Sequence, residues 1–242
     1  MKIWHWGALV AIVTFVIVTV VQPPTWFLLL VLLPLFAVGF TIVSFTYSFR
    51  QNLTAEAVPS HGCDNRIRDL KRMTPELERL GFSPVDEFFL RTIPDCLVHG
   101  YLHRTEPAYF CLYHFGSKIT VDIVSICDRD ISLTTSDTAD SGNVPRPPQK
   151  ALQIFPGLGY PALWQKHLSA MHFLSGLGVA PRRLTAGELR PLLMSSLKEF
   201  KEHVRSMFLW PVKLIFWVVT RYGKRYCHPL EVQWRQGIPH AR

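Results

Sequence analysis

From Ile3 to Phe49 the chain carries no Asp, Glu, Lys or Arg, an uninterrupted run of 47 residues. A helix rises about 1.5 Å per residue, so about 20 mostly apolar residues cross a hydrocarbon core. Ile3–Val21 supplies 19 such residues and Trp26–Phe49 supplies 24. Between them lies Gln22-Pro23-Pro24-Thr25, a turn through which no helix continues. The run therefore predicts a two-helix transmembrane hairpin. Trp4, Trp6 and Trp26 fall near the predicted ends, where indole rings favour the headgroup layer. A cleaved signal peptide fits less well, because its apolar region is shorter and ends at a small-residue cleavage site.

Charge placement extends this expectation. Lys2 precedes the run and Arg50 follows it, while the turn carries no charge. The positive-inside rule then places both termini and the remaining domain in the cytoplasm, at a membrane of the bacterial inner-membrane type. Five cysteines (Cys63, Cys96, Cys111, Cys127, Cys227) form an odd set without framework spacing, which suits reduced thiols. On that side of a membrane the Asn52-Leu53-Thr54 sequon is a chance match.

After Phe49 the composition becomes ordinary. The remaining 193 residues hold 25 of the 26 Lys/Arg and all 18 Asp/Glu, in a stretch long enough to bury its own core. Residues 50–74 read as a linker and the start of a short helix, with Thr74 as N-cap, Pro75 behind it and Gly81 past the end. Residues 75–205 read as an α+β domain. Glu87–Ile93, Cys96–His103, Ala108–Phe115, Lys118–Cys127 and Ile131–Thr135 are strand-like runs with short connectors, which predicts an antiparallel β-meander packed with helices. Ser136–Lys150 reads as a long mobile loop and Ala151–Phe155 as a sixth strand.

Two helices follow. The first covers Pro161–Leu174, with a seam of Trp164, Leu168, Met171 and Leu174. The second starts near Thr185, whose pairing with Glu188 fits a capping box, and its seam is Leu189, Leu193, Leu197, Phe200 and Val204. Pro191 must kink this helix or shift its start.

Residues 206–242 form an apolar, basic segment and an irregular tail. Met207–Val219 has 13 residues and one charge, Lys213, which is too short to span a bilayer. Phe208, Trp210, Phe216 and Trp217 supply its bulk, and Arg221, Lys224 and Arg225 follow. From residue 198 to residue 225 seven basic residues oppose two acidic ones, giving +5 of the total +8. Three readings fit: a buried helix with snorkelling flanks, contact with anionic lipid, or a docking face for another membrane protein.

Motifs that would announce chemistry are thin. Cys96, His99, His103, Cys111 and His114 crowd into nineteen residues. In strands, however, a spacing of three puts each Cys/His pair on opposite faces, so no zinc site is expected. Gly157-Leu158-Gly159 and Gly176-Leu177-Gly178 read as turns, since neither has the remaining residues of a nucleotide fingerprint. Asp122, Asp128 and Asp130 cluster near the fourth strand, where Asp suits a turn. His5 reads as a headgroup contact rather than a haem ligand, and no nucleic-acid-binding pattern stands out.

These observations predict a non-catalytic, membrane-anchored accessory or scaffold subunit without a cofactor. Its partners would be other integral-membrane subunits, in a respiratory or photosynthetic assembly for example, and anionic lipid. The alternative is a membrane-bound enzyme acting on a lipid-linked or hydrophobic substrate at the cytoplasmic interface.

Overall fold

A computed structural model of the chain describes residues 54–58, 64–91, 95–220 and 222–237, with isolated helical positions between residues 33 and 46. Seven strands form one sheet: β1 (Thr54–Glu56), β2 (Phe82–Arg91), β3 (Cys96–His103), β4 (Tyr109–Phe115), β5 (Lys118–Ile126), β6 (Ser132–Ser136) and β7 (Lys150–Ile154). They lie side by side in chain order. Neighbours from β1 to β6 pair antiparallel; from β2 onward the short connectors allow it, while residues 57–81 join β1 to β2.

The last pair differs. β7 runs parallel to β6, so the sheet is mixed and not the simple antiparallel meander that the connectors suggest. Parallel neighbours need a crossover of about a dozen residues or more. The 13 residues 137–149, expected as a mobile loop, are that crossover. A 3-10 turn at Ala139–Gly142 opens it, with the Thr138 hydroxyl accepting from the Asp140 amide.

Alternation along the strands gives the sheet two faces. On one, α1 (Asp64–Lys71), α2 (Thr74–Arg79) and α3 (Tyr160–Gly176) cover a core that includes Leu70, Leu77, Phe82, Leu97, Phe110, Leu112, Val121, Leu163 and Trp164. The buried stripe of α3 is Leu163, Trp164, His167, Ala170, Met171 and Leu174, a helical repeat of three and four. On the other face α4 (Leu189–Ser206) packs over Phe88, Leu90, Cys96, Val98, Tyr109, Cys111 and Tyr113. Pro191 is therefore the third residue of α4, where a backbone N–H has no intrahelical partner to lose. Thr185 and Glu188 make the expected capping box one turn earlier.

Beyond α4 the chain forms α5 (Trp210–Val219), a 3-10 turn at Tyr222–Tyr226 and α6 (Leu230–Arg235), where the sequence suggests an irregular tail. This segment covers the β7 edge. Gln233 Nε2 donates to the carbonyl of Leu152 on β7, a group that an open edge leaves bare, and to those of Tyr226 and His228 in the segment itself. The opposite edge, β1, is only three residues long and carries the Glu56–Arg91 ion pair, two features that discourage pairing with another strand.

No helix among the described residues is long and apolar enough to cross a membrane. α3 and α4 approach the length, but α4 carries Lys198, Glu199, Lys201, Glu202 and Arg205. α5 is apolar but has 10 residues, about 15 Å against the ~30 Å of a hydrocarbon core. The expectation of a membrane-anchored protein, with a transmembrane helical hairpin and a cytoplasmic domain at an inner membrane, is thus overturned. The hairpin expected over residues 1–49, with Trp4, Trp6 and Trp26, lies outside the described residues apart from those isolated positions. The described chain is a seven-stranded mixed sheet layered with helices.

Candidate functional site

α4 does not close fully onto the sheet. Leu189, Leu192, Leu193, Ser196, Leu197, Phe200 and Lys201 fall at spacings of three, one, three, one, three and one, so they form one continuous helix face. That whole face lines a cavity of about 620 Å³, half-open to the surface. The sheet lines it with short side chains, Cys111, Asp122, Val124, Ser132 and Thr134, and with the larger Leu90, Tyr109, Tyr113, Phe115 and Ile126. Over the short ones a leucine-rich helix one layer above leaves a gap.

Several contacts hold α4 at this height. Near its N-terminus Arg190 grips Asp86 with two bonds, Nε to Oδ2 at 3.2 Å and Nη2 to Oδ1 at 2.8 Å, and lies over the Phe88 ring. The grip depends on a bulge in β2, where the register shifts between Pro84 and Asp86. Beneath the same end is Gly100. A Cβ there would meet Leu189 Cδ2 at 1.9 Å, so only glycine lets that leucine settle on β3. Toward the other end Lys150 of β7 pairs with Glu199 at 2.8 Å. The Tyr109 hydroxyl also donates to the carbonyl of Thr185, just ahead of the helix.

Two of the charged side chains that line the cavity carry a buried atom without a partner. Asp122 projects from β5 between Cys111 on β4 and Ser136 on β6. Arg146 descends from the crossover, with its guanidinium 6.0 Å from the Phe200 ring and Nη2 donating to the Ser141 carbonyl at 3.4 Å. Asp122 Oδ1 and Arg146 Nε are buried and have no hydrogen-bond partner. Burial pushes the Asp122 carboxyl up from its ordinary range. Burial likewise pulls the Arg146 guanidinium down, opposed by the charge of Asp122. At the rim Lys118 pairs with Asp140.

The opposite face holds a constellation that resembles a catalytic triad. His167 of α3 lies between Ser125 and Thr135, with Nε2 2.9 Å from Ser125 Oγ and Nδ1 2.8 Å from Thr135 Oγ1. The surrounding bonds fix every proton. Gln153 Nε2 donates to Thr135 Oγ1, so Thr135 donates its own hydrogen to Nδ1. Ser125 donates to the Pro107 carbonyl at 2.7 Å, so it accepts from Nε2–H. His167 is fully buried and neutral, with its pKa pushed down to about 3 by burial. A serine whose proton is committed to a carbonyl, in a core without solvent access, has the arrangement of a structural network rather than of an activated nucleophile.

The sheet separates the cysteines and histidines as their spacing implies. Cys96 and Cys111 face α4, whereas His99 contacts Tyr101, His103 packs on Trp164 and His114 faces Asp69, all on the other side. No group of three or more His, Cys, Asp or Glu that could hold a metal ion exists among the described residues. Gly157 and Gly178 are turn positions with positive φ on either side of α3. Arg129 and Asp130 form a left-handed turn between β5 and β6, which leaves Asp122 as the one aspartate of its sequence cluster inside the cavity.

The apolar, basic segment divides between surface and interior. Phe208 and Phe216 are 79% and 62% exposed, and Leu209, Val212 and Val219 extend the same apolar surface. Lys213 and Lys224 are exposed beside it, and Trp210 is half-buried at the start of α5. Trp217 turns inward and donates from Nε1 to the Gly142 carbonyl at 2.8 Å. Arg225 stacks on Trp217, Tyr222 and Tyr226 at 4.8, 4.3 and 4.9 Å, so its charge is shielded by rings. Arg221 lies outside the described residues.

No local pattern marks the cavity, because the seam of Leu189, Leu193, Leu197 and Phe200 does not show what it faces. Arg146 carried no signal at all, standing in a proline-rich stretch that reads as a loop. No family model, curated protein or solved structure matches the chain.

Proposed function

We propose that the chain is a binding protein for an elongated, largely apolar small molecule held between α4 and the sheet. The observation that carries this reading is the continuous face of α4 standing over a cavity on the sheet. Its 620 Å³ cavity lies in the range of small-molecule sites. At the ~30 Å³ that one water molecule occupies in the liquid, it has room for about 20 non-hydrogen atoms. Leucine and phenylalanine walls favour a hydrocarbon body, whose transfer from water is favourable in proportion to buried area.

Binding is favoured over catalysis by the character of the nearest nucleophiles. Burial pushes the thiols of Cys96 and Cys111 up to about 12, so neither is ionised near neutral pH. The Ser125–His167 pair lies on the opposite face of the sheet and does not open into the cavity.

The test is titration with an uncharged fluorescent hydrophobe, N-phenyl-1-naphthylamine. Saturable enhancement is expected with the wild type and loss of it with Val124→Phe, which fills the cavity from its floor. Equal binding to a folded Val124→Phe variant, or none to the wild type, defeats the reading.

A second reading is supported by α5. From His203 to Leu230 the chain has no acidic residue and five basic ones, around the exposed Phe208, Phe216 and Val219. An apolar patch with basic edges suits an accessory subunit that braces an acidic-rimmed protein partner. Serine at Phe208 and Phe216 together should abolish co-purification of a stoichiometric partner from native extract and leave the melting temperature unchanged. Co-purification that survives both substitutions sets the accessory reading aside.

A further inference from the structure

Two of the charged groups that line the cavity are incomplete in a complementary way. Arg146 Nε is a buried donor without an acceptor, and Asp122 Oδ1 is a buried oxygen without a donor. No ion pair within 4.0 Å joins them, so each retains capacity for a third group. Taking the proposed binding role as its basis, we infer that the bound molecule is a single-chain carboxylate amphiphile whose head lies between Arg146 and Asp122.

Three features select this head. The first is charge: Lys118 and Lys150 are balanced by Asp140 and Glu199, and of the other charged residues that line the cavity Arg146 and Lys201 are basic and Asp122 is acidic, which favours an anion over a cation. The second is geometry. A guanidinium presents its N–H groups as a planar fork that matches the two oxygens of a carboxylate. The third is the proton. Two carboxyl groups in contact share one hydrogen, because both cannot ionise at close range. Asp122 in its neutral form donates that hydrogen to the ligand carboxylate, and burial already favours the neutral form. A phosphomonoester brings nearly two charges against a single guanidinium and a neighbouring acid.

The experiment uses the full chain and three ligands of equal tail: dodecanoate, dodecanol and dodecylamine, each displacing N-phenyl-1-naphthylamine below its micellar concentration. Dodecyl phosphate is a fourth arm. Dodecanoate is expected to displace the probe at about tenfold lower concentration than dodecanol, as a charge-assisted pair requires. Arg146→Gln should remove that preference and leave dodecanol unchanged. Arg146→Lys, which keeps the charge without the fork, should retain part of it and serves if the glutamine variant does not fold.

Equal displacement by acid and alcohol on the wild type overturns the assignment of the head and leaves the binding reading standing. So does preference for the amine or the phosphate, or full acid preference in Arg146→Gln. If the probe itself fails to bind, the binding reading falls and the head assignment with it.

Discussion

His167 Nε2 donates to Ser125 Oγ across 2.9 Å, and Ser125 passes its own hydrogen to the carbonyl of Pro107. The imidazole is thereby locked neutral between α3 and the sheet. Its pKa of about 3 lies below the ordinary ~6.5, so the unfolded chain takes up a proton that the folded chain refuses. Stability from this group is therefore intact above pH 6.5 and is lost as pH falls toward 3, by about 1.4 kcal/mol per unit. Denaturant titrations of wild type and His167→Gln at pH 7 and pH 5 should show their difference shrinking by roughly 2 kcal/mol. A difference independent of pH refutes the neutral assignment.

The Arg190–Asp86 pair should carry a measurable coupling. It is bidentate, with side chains 37% and 22% exposed, and the guanidinium also covers Phe88. A double-mutant cycle with alanine at both positions is expected to give about 1 kcal/mol or slightly more. The same cycle on Arg72–Asp69, a single contact at 3.4 Å with Arg72 71% exposed, should give under ~0.5 kcal/mol. Equal couplings contradict the view that Arg190 fixes the start of α4.

Two glycines meet where the crossover touches the segment after α5. A Cβ on Gly223 falls 2.0 Å from the Gly142 carbonyl oxygen, which is backbone and has no rotamer to adopt. Gly223→Ala should cost about 1–3 kcal/mol by overpacking. Gly187→Ala, with nothing within 4 Å of the added methyl, should stay within ~0.5 kcal/mol of wild type. Thermal unfolding of both variants distinguishes these expectations.

Thiol reactivity should follow burial. Cys96, Cys111 and Cys127 are buried, with thiols pushed up to about 12, 12 and 11. Cys227 is only half-buried, and its smaller upward shift is opposed by Lys224. Of these four, timed alkylation at pH 8 with peptide mapping should label Cys227 first and the other three only after denaturant is added. Early labelling of Cys111 means that the wall of the cavity is open to reagents.

Local patterns carried the element reading a long way. β3 has the span its sequence suggested, Cys96–His103, because turn residues bound an apolar run on both sides. The seam of α4 was visible because leucines at helical spacing need no tertiary information. What those leucines face was not visible: a seam over a filled core and a seam over Val124, Ser132 and Thr134 look alike until the strands are paired. The direction of β7 is likewise absent from its own five residues and is set by a crossover that local rules read as a loop. Arg146 became part of a site only through that crossover, next to an Asp122 that its neighbours made look like a turn residue. The uncharged run dominated the functional expectation, yet the described residues contain no helix able to cross a membrane.

The contact between residues 142 and 223 also sets a timetable. Arg146 stands four residues after Gly142, whose carbonyl is held by Trp217 and whose backbone abuts Gly223. Ribosomes release a chain in order, so the sheet through β7 and the whole of α4 emerge before this clasp can form. The crossover that carries Arg146 is therefore clamped only once the chain past residue 223 has joined the fold.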